Sequence, residues 1–406
     1  MQVSIKPSKL KGKIMAPPSK SMAHRLLICA GLSRGESIVS GVSFSKDIIA
    51  TLNCLKALGA SYKTENDKII IKGVNPAAYS GKEILNCNEC GSTLRFMIPI
   101  CMTGSSEVKL TGSSVLMARP LGIYEEIAKN QNLGFNISND ILSISGPLSA
   151  GNYKISGNIS SQFVSGLLFS LPLLKKDSTL EIIPPVESKP YIDMTLEALS
   201  SFGINIEKRS ENIYFIKGNQ SYKAANVNVE GDYSNAAFLE AFNLIGSDVE
   251  VSGLNPQSLQ GDRVYYEMFY KLKNSFCTFD IADCPDLAPV LFSVAALCHG
   301  GKFTGTKRLK WKECNRGEAM KEELSKCGVE LSIDENEITV YPGKVKSPEI
   351  AISSHNDHRI AMAMSVVLSV VGGIIDGAEA VNKSYPDFYD NIKKLGGEVE
   401  CIGMDK

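Results

Sequence analysis

Two kinds of helical pattern alternate along this chain, separated by short runs of strand-forming residues. The first kind is amphipathic: Ile48, Leu52, Leu55 and Leu58 recur on one face, with polar residues on the other. Six such helices are expected to end at Leu58-Gly59-Ala60, Leu133-Gly134-Phe135, Phe202-Gly203-Ile204, Lys273-Asn274-Ser275, Cys327-Gly328-Val329 and Leu395-Gly396-Gly397. Glycine, or Asn274 in the fourth case, supplies the left-handed residue that closes a helix. Polar hairpin turns follow at Asn66-Asp67, Asn139-Asp140, Glu211-Asn212 and Glu335-Asn336.

The second kind is apolar nearly all round and is therefore expected to be buried. It covers Arg25–Leu32, Leu94–Met102, Phe163–Leu174, Ala236–Ile245, Leu287–Leu297 and Ile360–Val371. Short strands follow, as at Ser37–Val39, Glu107–Leu110 and Thr179–Ile183. The repeating unit is β-α-β-α-β-β, spaced by roughly 55–75 residues. Its fourth and sixth copies match least well. Three units closing around three buried helices make one domain, so two domains of like design are expected. They are residues 19–230, and residues 1–18 with 231–406. The fold class is α/β; a plain doubly wound sheet is the alternative that the same pattern allows.

The residues that introduce the buried helices carry the first chemical signal. They are Ser19-Lys20-Ser21, Gly91-Ser92-Thr93, Ser160-Ser161-Gln162, Tyr233-Ser234-Asn235, Asp286 and Asn356-Asp357-His358-Arg359. Capping accounts for many of them, because Ser, Thr, Asn and Asp accept hydrogen bonds from the first N–H groups of a helix. Asp232–Asn235 needs no other explanation. Lys20 and Arg359 do, since a cation at a helix N-terminus opposes the macrodipole by a few tenths to about 1 kcal/mol. Their presence implies an anion between the cation and the exposed N–H groups. Gly91, without a Cβ, would let such an anion reach the backbone. Further basic residues stand at Arg119-Pro120, expected to follow a strand, and at Lys383. Lys310 and Lys321 read as solvated, whereas Lys312 and Arg316 flank Glu313 at one-turn spacing where an outer helix opens.

Bulk properties narrow the partners. The chain has 406 residues, 44% of them hydrophobic and 21% charged, with a formal net charge of −1. Nothing in such a balance argues for nucleic acid or an anionic membrane surface, and neither is expected as a partner. The basic residues must therefore act as a local concentration. Met1–Ile5 alternates like a strand rather than a leader peptide, and Ile360–Val371 is too short to span a bilayer. The eleven cysteines read as reduced thiols, so a cytoplasmic location is expected. Cys87-Asn88-Glu89-Cys90 has the spacing of half a zinc site. No second pair follows, and the four histidines lie at no ligand spacing, so no metal is expected.

In this order along the whole chain, the motifs resemble the 5-enolpyruvylshikimate-3-phosphate synthase family. They are Pro17-Pro18-Ser19-Lys20-Ser21 with Arg25, Gly91-Ser92-Thr93-Leu94-Arg95, Ala118-Arg119-Pro120, Ser160-Ser161-Gln162-Phe163 and Glu187-Ser188-Lys189-Pro190-Tyr191. Pro285-Asp286, Lys312-Glu313 with Arg316, Asn356-Asp357-His358-Arg359, and Lys383 before Pro386-Asp387 complete the set. The resemblance implies the inverse α/β barrel of enolpyruvyl transferases, with an active site in the cleft between the two domains. It implies transfer of the enolpyruvyl group of phosphoenolpyruvate to the 5-hydroxyl of shikimate 3-phosphate, by addition and elimination, on the way to chorismate and the aromatic amino acids. Lys20, Ser21, Arg25, Ser160, Ser161, Gln162, Ser188, Asp286 and Lys312 would hold shikimate 3-phosphate. Lys20, Gly91, Arg119, Gln162, Arg316, Arg359 and Lys383 would hold phosphoenolpyruvate. Asp286 would be the base for the attacking hydroxyl, and Glu313, helped by Lys20, the acid that protonates the methylene carbon. His358 would support the neighbouring polar network. The resemblance further implies a monomer, no cofactor and inhibition by glyphosate.

Charge arithmetic agrees with that reading. Each substrate carries a carboxylate and a phosphate monoester, together about −2.5 to −3 at neutral pH. Lys20, Arg25, Arg119, Lys312, Arg316, Arg359 and Lys383 oppose them, offset in part by Asp286 and Glu313. Unliganded, those cations would repel, so the domains are expected to stand open when empty and to close on binding. Four positions depart from the family pattern. Cys314-Asn315 stands where a hydroxyl residue and aspartate are usual, removing a carboxylate beside Arg316. Arg308 replaces a frequent asparagine, and Phe96 a frequent proline behind the Gly91 loop. The related UDP-N-acetylglucosamine enolpyruvyl transferases usually carry a cysteine shortly before Ala-Arg-Pro, and Thr111–Ala118 holds none. A non-catalytic anion-binding relative is the other alternative, opposed by retention of both Asp286 and Glu313.

Overall fold

All six apolar segments are helices, and five of them start earlier than their hydrophobic pattern. They run Lys20–Leu32, Gly91–Cys101, Ser161–Ser170, Tyr233–Leu244, Ala288–Leu297 and His358–Val371 in the computed structural model. The polar residues thought to precede them form their first turns. Caps stand one place further back: Ser19, Cys90, Ser160, Asp232 and Asp357 each accept a backbone N–H from inside the helix. Cys90 is the unexpected member, its thiol sulfur accepting from Thr93 at 3.4 Å.

The structure describes residues 1–79, 81 and 83–402, and the chain divides into two units, Pro18–Glu230 and Met1–Pro17 with Gly231–Lys406. The first holds three sheets of one design. In each, two parallel strands are extended by an antiparallel hairpin, and in the second and third the parallel strands flank a buried helix in sequence, as in the order Ile84–Asn86, Val108–Thr111, Ile141–Ser145, Gly134–Ser138. The opening strand of the first sheet is Asn226–Asn228, from the end of the unit, paired with Glu36–Ser40. Ile69 and Ile71 face inward, and Leu27, Met97 and Leu167 bring the three buried helices into one core.

In the second unit the fourth and sixth repeats are the irregular ones, as their weak patterns indicated. The sixth sheet has the order Ile352–Ser353, Gly373–Asp376, Gln2–Ile5, Val399–Ile402, so the N-terminal strand stands where the other repeats use their own hairpin strand. The fourth is a two-stranded parallel pair, Lys11–Met15 with Asp248–Ser252. The five four-stranded sheets mix parallel and antiparallel pairs, which sets aside a doubly wound sheet. Phe238, Phe292 and Met364 join the core of this unit. Among the described residues no helix is long and apolar enough to cross a membrane.

Two helix ends differ from expectation. Gly59, Gly203, Gly328 and Gly396 do take positive φ, but after the second outer helix the left-handed residue is Asn132, and Gly134 begins a strand. Tyr265–Asn274 ends with Ser275 extended and no left-handed residue; the Asn274 amide instead donates to Tyr270 O at 2.7 Å. A side chain that satisfies a terminal carbonyl removes the need for the turn.

Close packing of two buried helices rests on a compensated defect. Pro99 lies inside Gly91–Cys101 and has no N–H to offer the carbonyl four residues back, that of Arg95. The Tyr124 hydroxyl donates to that oxygen at 2.7 Å. Gly166 of the neighbouring helix makes room, since a Cβ there would run into Tyr124 Oη. Tyr124→Phe should therefore cost about 1–3 kcal/mol, the penalty of an unsatisfied buried acceptor, as read by urea denaturation. Pro99→Ala restores the missing N–H and should recover part of that loss in the double variant. Strictly additive effects would show that Arg95 O does not couple the two positions.

Candidate active site

In the unit Pro18–Glu230, Lys20 occupies the first position of its helix, and its ammonium lies 2.8 Å from Asp47 Oδ2. Asp47 sits in the first turn of the outer helix Lys46–Ala57, where a negative charge suits the dipole. Part of the anion that Lys20 seemed to require thus belongs to the protein. Asp47 was missed because an aspartate in a first helical turn looks complete as a dipole partner. Beneath this pair, buried His24 meets Thr51 Oγ1 at 2.8 Å and Cys90 Sγ at 3.7 Å. Burial, with Lys20 and Arg25 nearby, pushes its pKa well below the usual value, so the ring is neutral. Cys87 turns the other way, to 3.9 Å from Cys54 Sγ, so the Cys87/Cys90 spacing does not bring the two thiols to one point.

The start of the Gly91 helix faces a cluster of amide and guanidinium groups. Arg95 donates to Gln162 Oε1 at 2.7 Å, and Gln162 Nε2 donates to Ser92 Oγ at 2.9 Å. Arginine has only donors, so it fixes which end of the Gln162 amide faces which partner. A Cβ on Gly91 would stand 2.9 Å from Arg119 Nη1 and 3.8 Å from Gln162 Oε1. Arg119 follows the short helix Ser114–Met117 rather than a strand, and its buried Nε has no hydrogen-bond partner among the described residues. Lys20, Gly91, Arg119, Gln162, Ser160 and Ser161 thus lie at or beside helix starts. The sequence signal for Arg95 is an arginine inside an otherwise apolar helix.

Arg25 is set deeper. Its guanidinium donates to Thr195 Oγ1, Ser21 O and Tyr191 O at 2.7–2.9 Å. It also lies 5.4 Å over the Phe96 ring, which packs edge-on against Phe169 in the core. Phe96 therefore points inward. Ser188, buried, takes the left-handed conformation at φ 57° just before the helix Lys189–Ser201, a strained setting for a residue other than glycine.

The other unit assembles its acids and bases around one arginine. Arg316, 1% exposed, donates to Asp357 Oδ2 (2.8 Å), Asp286 Oδ1 (2.8 Å) and Glu313 Oε2 (2.7 Å). Lys312 and Arg359 reach Asp286 from other sides, each at 3.1 Å. Burial disfavours charge on Asp286, yet Arg359, Lys312 and Arg316 outweigh it and hold the carboxyl well below the usual carboxylate range. Lys383 donates to Asn356 O at 2.5 Å. His358 is buried with Nδ1 3.7 Å from Asp357 Oδ1. Lys312 and Arg316 do not share a helix. Asn315 caps the helix Arg316–Lys326, and Lys312 lies in the segment before it, after the turn Lys307–Trp311. Lys310 and Lys321 are exposed, as their spacing indicated.

The departures find physical settings. Cys314 donates its thiol to Asp357 Oδ2 at 3.7 Å, and burial raises its pKa. Asp357 stands against Arg316 where the usual neighbouring aspartate is missing. Its place in the Asn356-Asp357-His358-Arg359 motif does not by itself reveal this partner. Arg308 is buried and donates to Ala282 O at 2.8 Å. A further carboxylate, Asp262, accepts from Ser234 Oγ and is pushed up to about 7, chiefly by burial and by Asp286. Nothing in its sequence context marked it.

Comparison with known proteins follows the same lines. A family model described as EPSP synthase (3-phosphoshikimate 1-carboxyvinyltransferase) matches residues 5–392. The 3-phosphoshikimate 1-carboxyvinyltransferase of Clostridium perfringens (strain ATCC 13124) is 42% identical, over 98% of each chain. That of Clostridium kluyveri is 40% identical, over 100% of this chain and 99% of its own. An EPSP synthase structure from Acinetobacter baumannii superposes with a TM-score of 0.79 at 22% identity, covering 98% of this chain and 99% of that one.

Asp357 tests how far the arginine-centred cluster depends on one carboxylate. Asp357→Ala should lower stability by about 3–5 kcal/mol, because it leaves Arg316 short of a buried partner. Chemical denaturation reads this, and a loss below 1 kcal/mol would place the weight on Asp286 and Glu313 instead.

Proposed function

The chain belongs to the EPSP synthase family, and from that premise we propose that it transfers the enolpyruvyl group of phosphoenolpyruvate to the 5-hydroxyl of shikimate 3-phosphate. The observation that carries this reading is that one buried arginine, Arg316, clasps both an acid candidate and a base candidate, Glu313 and Asp286. Enolpyruvyl transfer needs such a pair. The methylene carbon of phosphoenolpyruvate gains a proton as the hydroxyl oxygen bonds to the adjacent carbon and loses its own. Asp286 takes the hydroxyl proton, and Glu313, with Lys20, supplies the proton to carbon. The tetrahedral adduct then expels phosphate while the new methyl group gives up a proton, which restores the double bond and leaves the enol ether product.

The low pKa of Asp286 makes it a weak base before substrates arrive. Its cations are also the residues assigned to substrate anions: Lys312 to shikimate 3-phosphate, and Arg316 and Arg359 to phosphoenolpyruvate. Anions that draw Lys312 and Arg359 away remove the charges that depress Asp286, so its basicity rises upon binding. Lys20, exchanging Asp47 for a substrate anion, behaves in the same way. The bare Arg119 Nε and the open Gly91 backbone suit the donor substrate. Ser21, Arg25, Ser160, Ser161, Gln162 and Ser188 hold the acceptor, Arg25 through the frame it builds around Ser21. Lys383 completes the donor site. The protein acts as a monomeric cytoplasmic enzyme that glyphosate inhibits.

Phosphate release from phosphoenolpyruvate should require shikimate 3-phosphate, with UDP-N-acetylglucosamine inert as acceptor; the reverse preference would sink the assignment. Asp286→Ala should be nearly inactive while still binding shikimate 3-phosphate by calorimetry. At Gly91 a methyl group would press on Arg119, so Gly91→Ala should weaken glyphosate inhibition by at least about ten-fold. An unchanged inhibition curve would refute the steric argument.

A further inference from the structure

We propose that Glu323 and His355, outside the site described above, form a positioning device for the turn that presents Asn356, Asp357 and Arg359. Glu323 is fully buried on the helix Arg316–Lys326, seven residues beyond Arg316 and so on the same face. Arg316 grips Asp357 at one end of the turn, and Glu323 grips the other. One Glu323 oxygen accepts from Ser353 N at 2.9 Å, the other lies 2.7 Å from His355 Nε2, and Lys326 bridges both at 2.9 and 2.7 Å.

The turn needs holding. His355 and Asn356 are both left-handed, with φ of 48° and 53°, and neither is glycine. Histidine in that region is a rare and strained choice unless its surroundings over-determine it. Ser353 Oγ and Ser354 Oγ accept the N–H groups of His355 and Asn356, and the imidazole anchors the outer side. This conformation aims Asn356 O at Lys383 and brings Asp357 to the start of the Arg359 helix. Among the described residues Glu323 and His355 touch none of the proposed substrate groups; they act through the backbone between them.

The bond carries charge as well as shape. Glu323 raises the His355 pKa against the opposing effect of burial, helped by Glu322, while Lys326 lowers it. A raised histidine pKa means that the charged pair is complete at low pH and is lost as pH climbs through that value. Glu322, Glu323 and Lys326 are the charged groups of the outer helix that act on the imidazole, while Arg316 and Lys383 act on the turn beyond it, at Asp357 and Asn356.

The inference rests on the donor-site reading of Arg359 and Lys383, and steady-state kinetics of the full chain test it. His355→Asn keeps a residue at ease in the left-handed region but deletes the imidazole. It should raise KM for phosphoenolpyruvate about ten-fold, with KM for shikimate 3-phosphate and kcat within about two-fold. Glu323→Ala should do the same, and His355→Asn decides alone where that variant does not fold. In the native protein, KM for phosphoenolpyruvate should rise as pH passes the raised His355 pKa, and this limb should vanish in His355→Asn. An unchanged KM in His355→Asn, or equal rises for both substrates, overturns the proposal. An inactive native protein would instead refute the functional reading on which it stands.

Discussion

A cation at the positive end of a buried helix is stable only if an anion stands beside it, and much of this molecule answers that constraint. Lys20 opens one buried helix and Arg359 another. Each meets a carboxylate of its own unit, Asp47 at 2.8 Å and Asp286 at 3.1 Å. The macrodipole, the desolvation of the ammonium or guanidinium and the Coulomb attraction must balance within a few ångströms. The outer helices and turns that deliver Asp47 and Asp286 are therefore as necessary to the site as the buried helices.

The pairs differ in how easily they can be exchanged. Arg316 and Asp357 are almost wholly buried, so separating them would leave an uncompensated charge in a low-dielectric setting. They behave as framework. The partly exposed side chains of Lys20, Lys312 and Asp286, at 14%, 28% and 16%, are nearer water and can trade one anion for another at lower cost. A site for two polyanionic substrates needs both kinds: fixed charges that hold shape, and mobile ones released to the ligand.

The repeat architecture was legible because periodicity is local information. Apolar stripes, glycine ends and polar hairpin turns each lie within a few residues, and four of the six outer helices close on the glycine expected. One misreading came where a side chain replaced a backbone device: Asn274 caps its helix through its amide. Helix starts were placed too late because polar first-turn residues carry no hydrophobic signal. The weak fourth and sixth repeats had a cause that no local pattern contains: Lys11–Met15 and Gln2–Ile5 are lent to them from the far end of the chain.

By itself, the sequence determined the repeating unit, the class of fold, the family and the residue types at the helix starts, since each is written in spacing along one chain. Tertiary structure alone decided who partners whom. Asp47, Arg95, Asp262, Glu323 and the framework role of Asp357 lay outside the reach of spacing, because each acts on a group from 27 to 67 residues away. Such contacts exist only once strands and helices have been stacked. The same stacking settles the charge state of Asp286, where burial pulls one way and three cations pull the other.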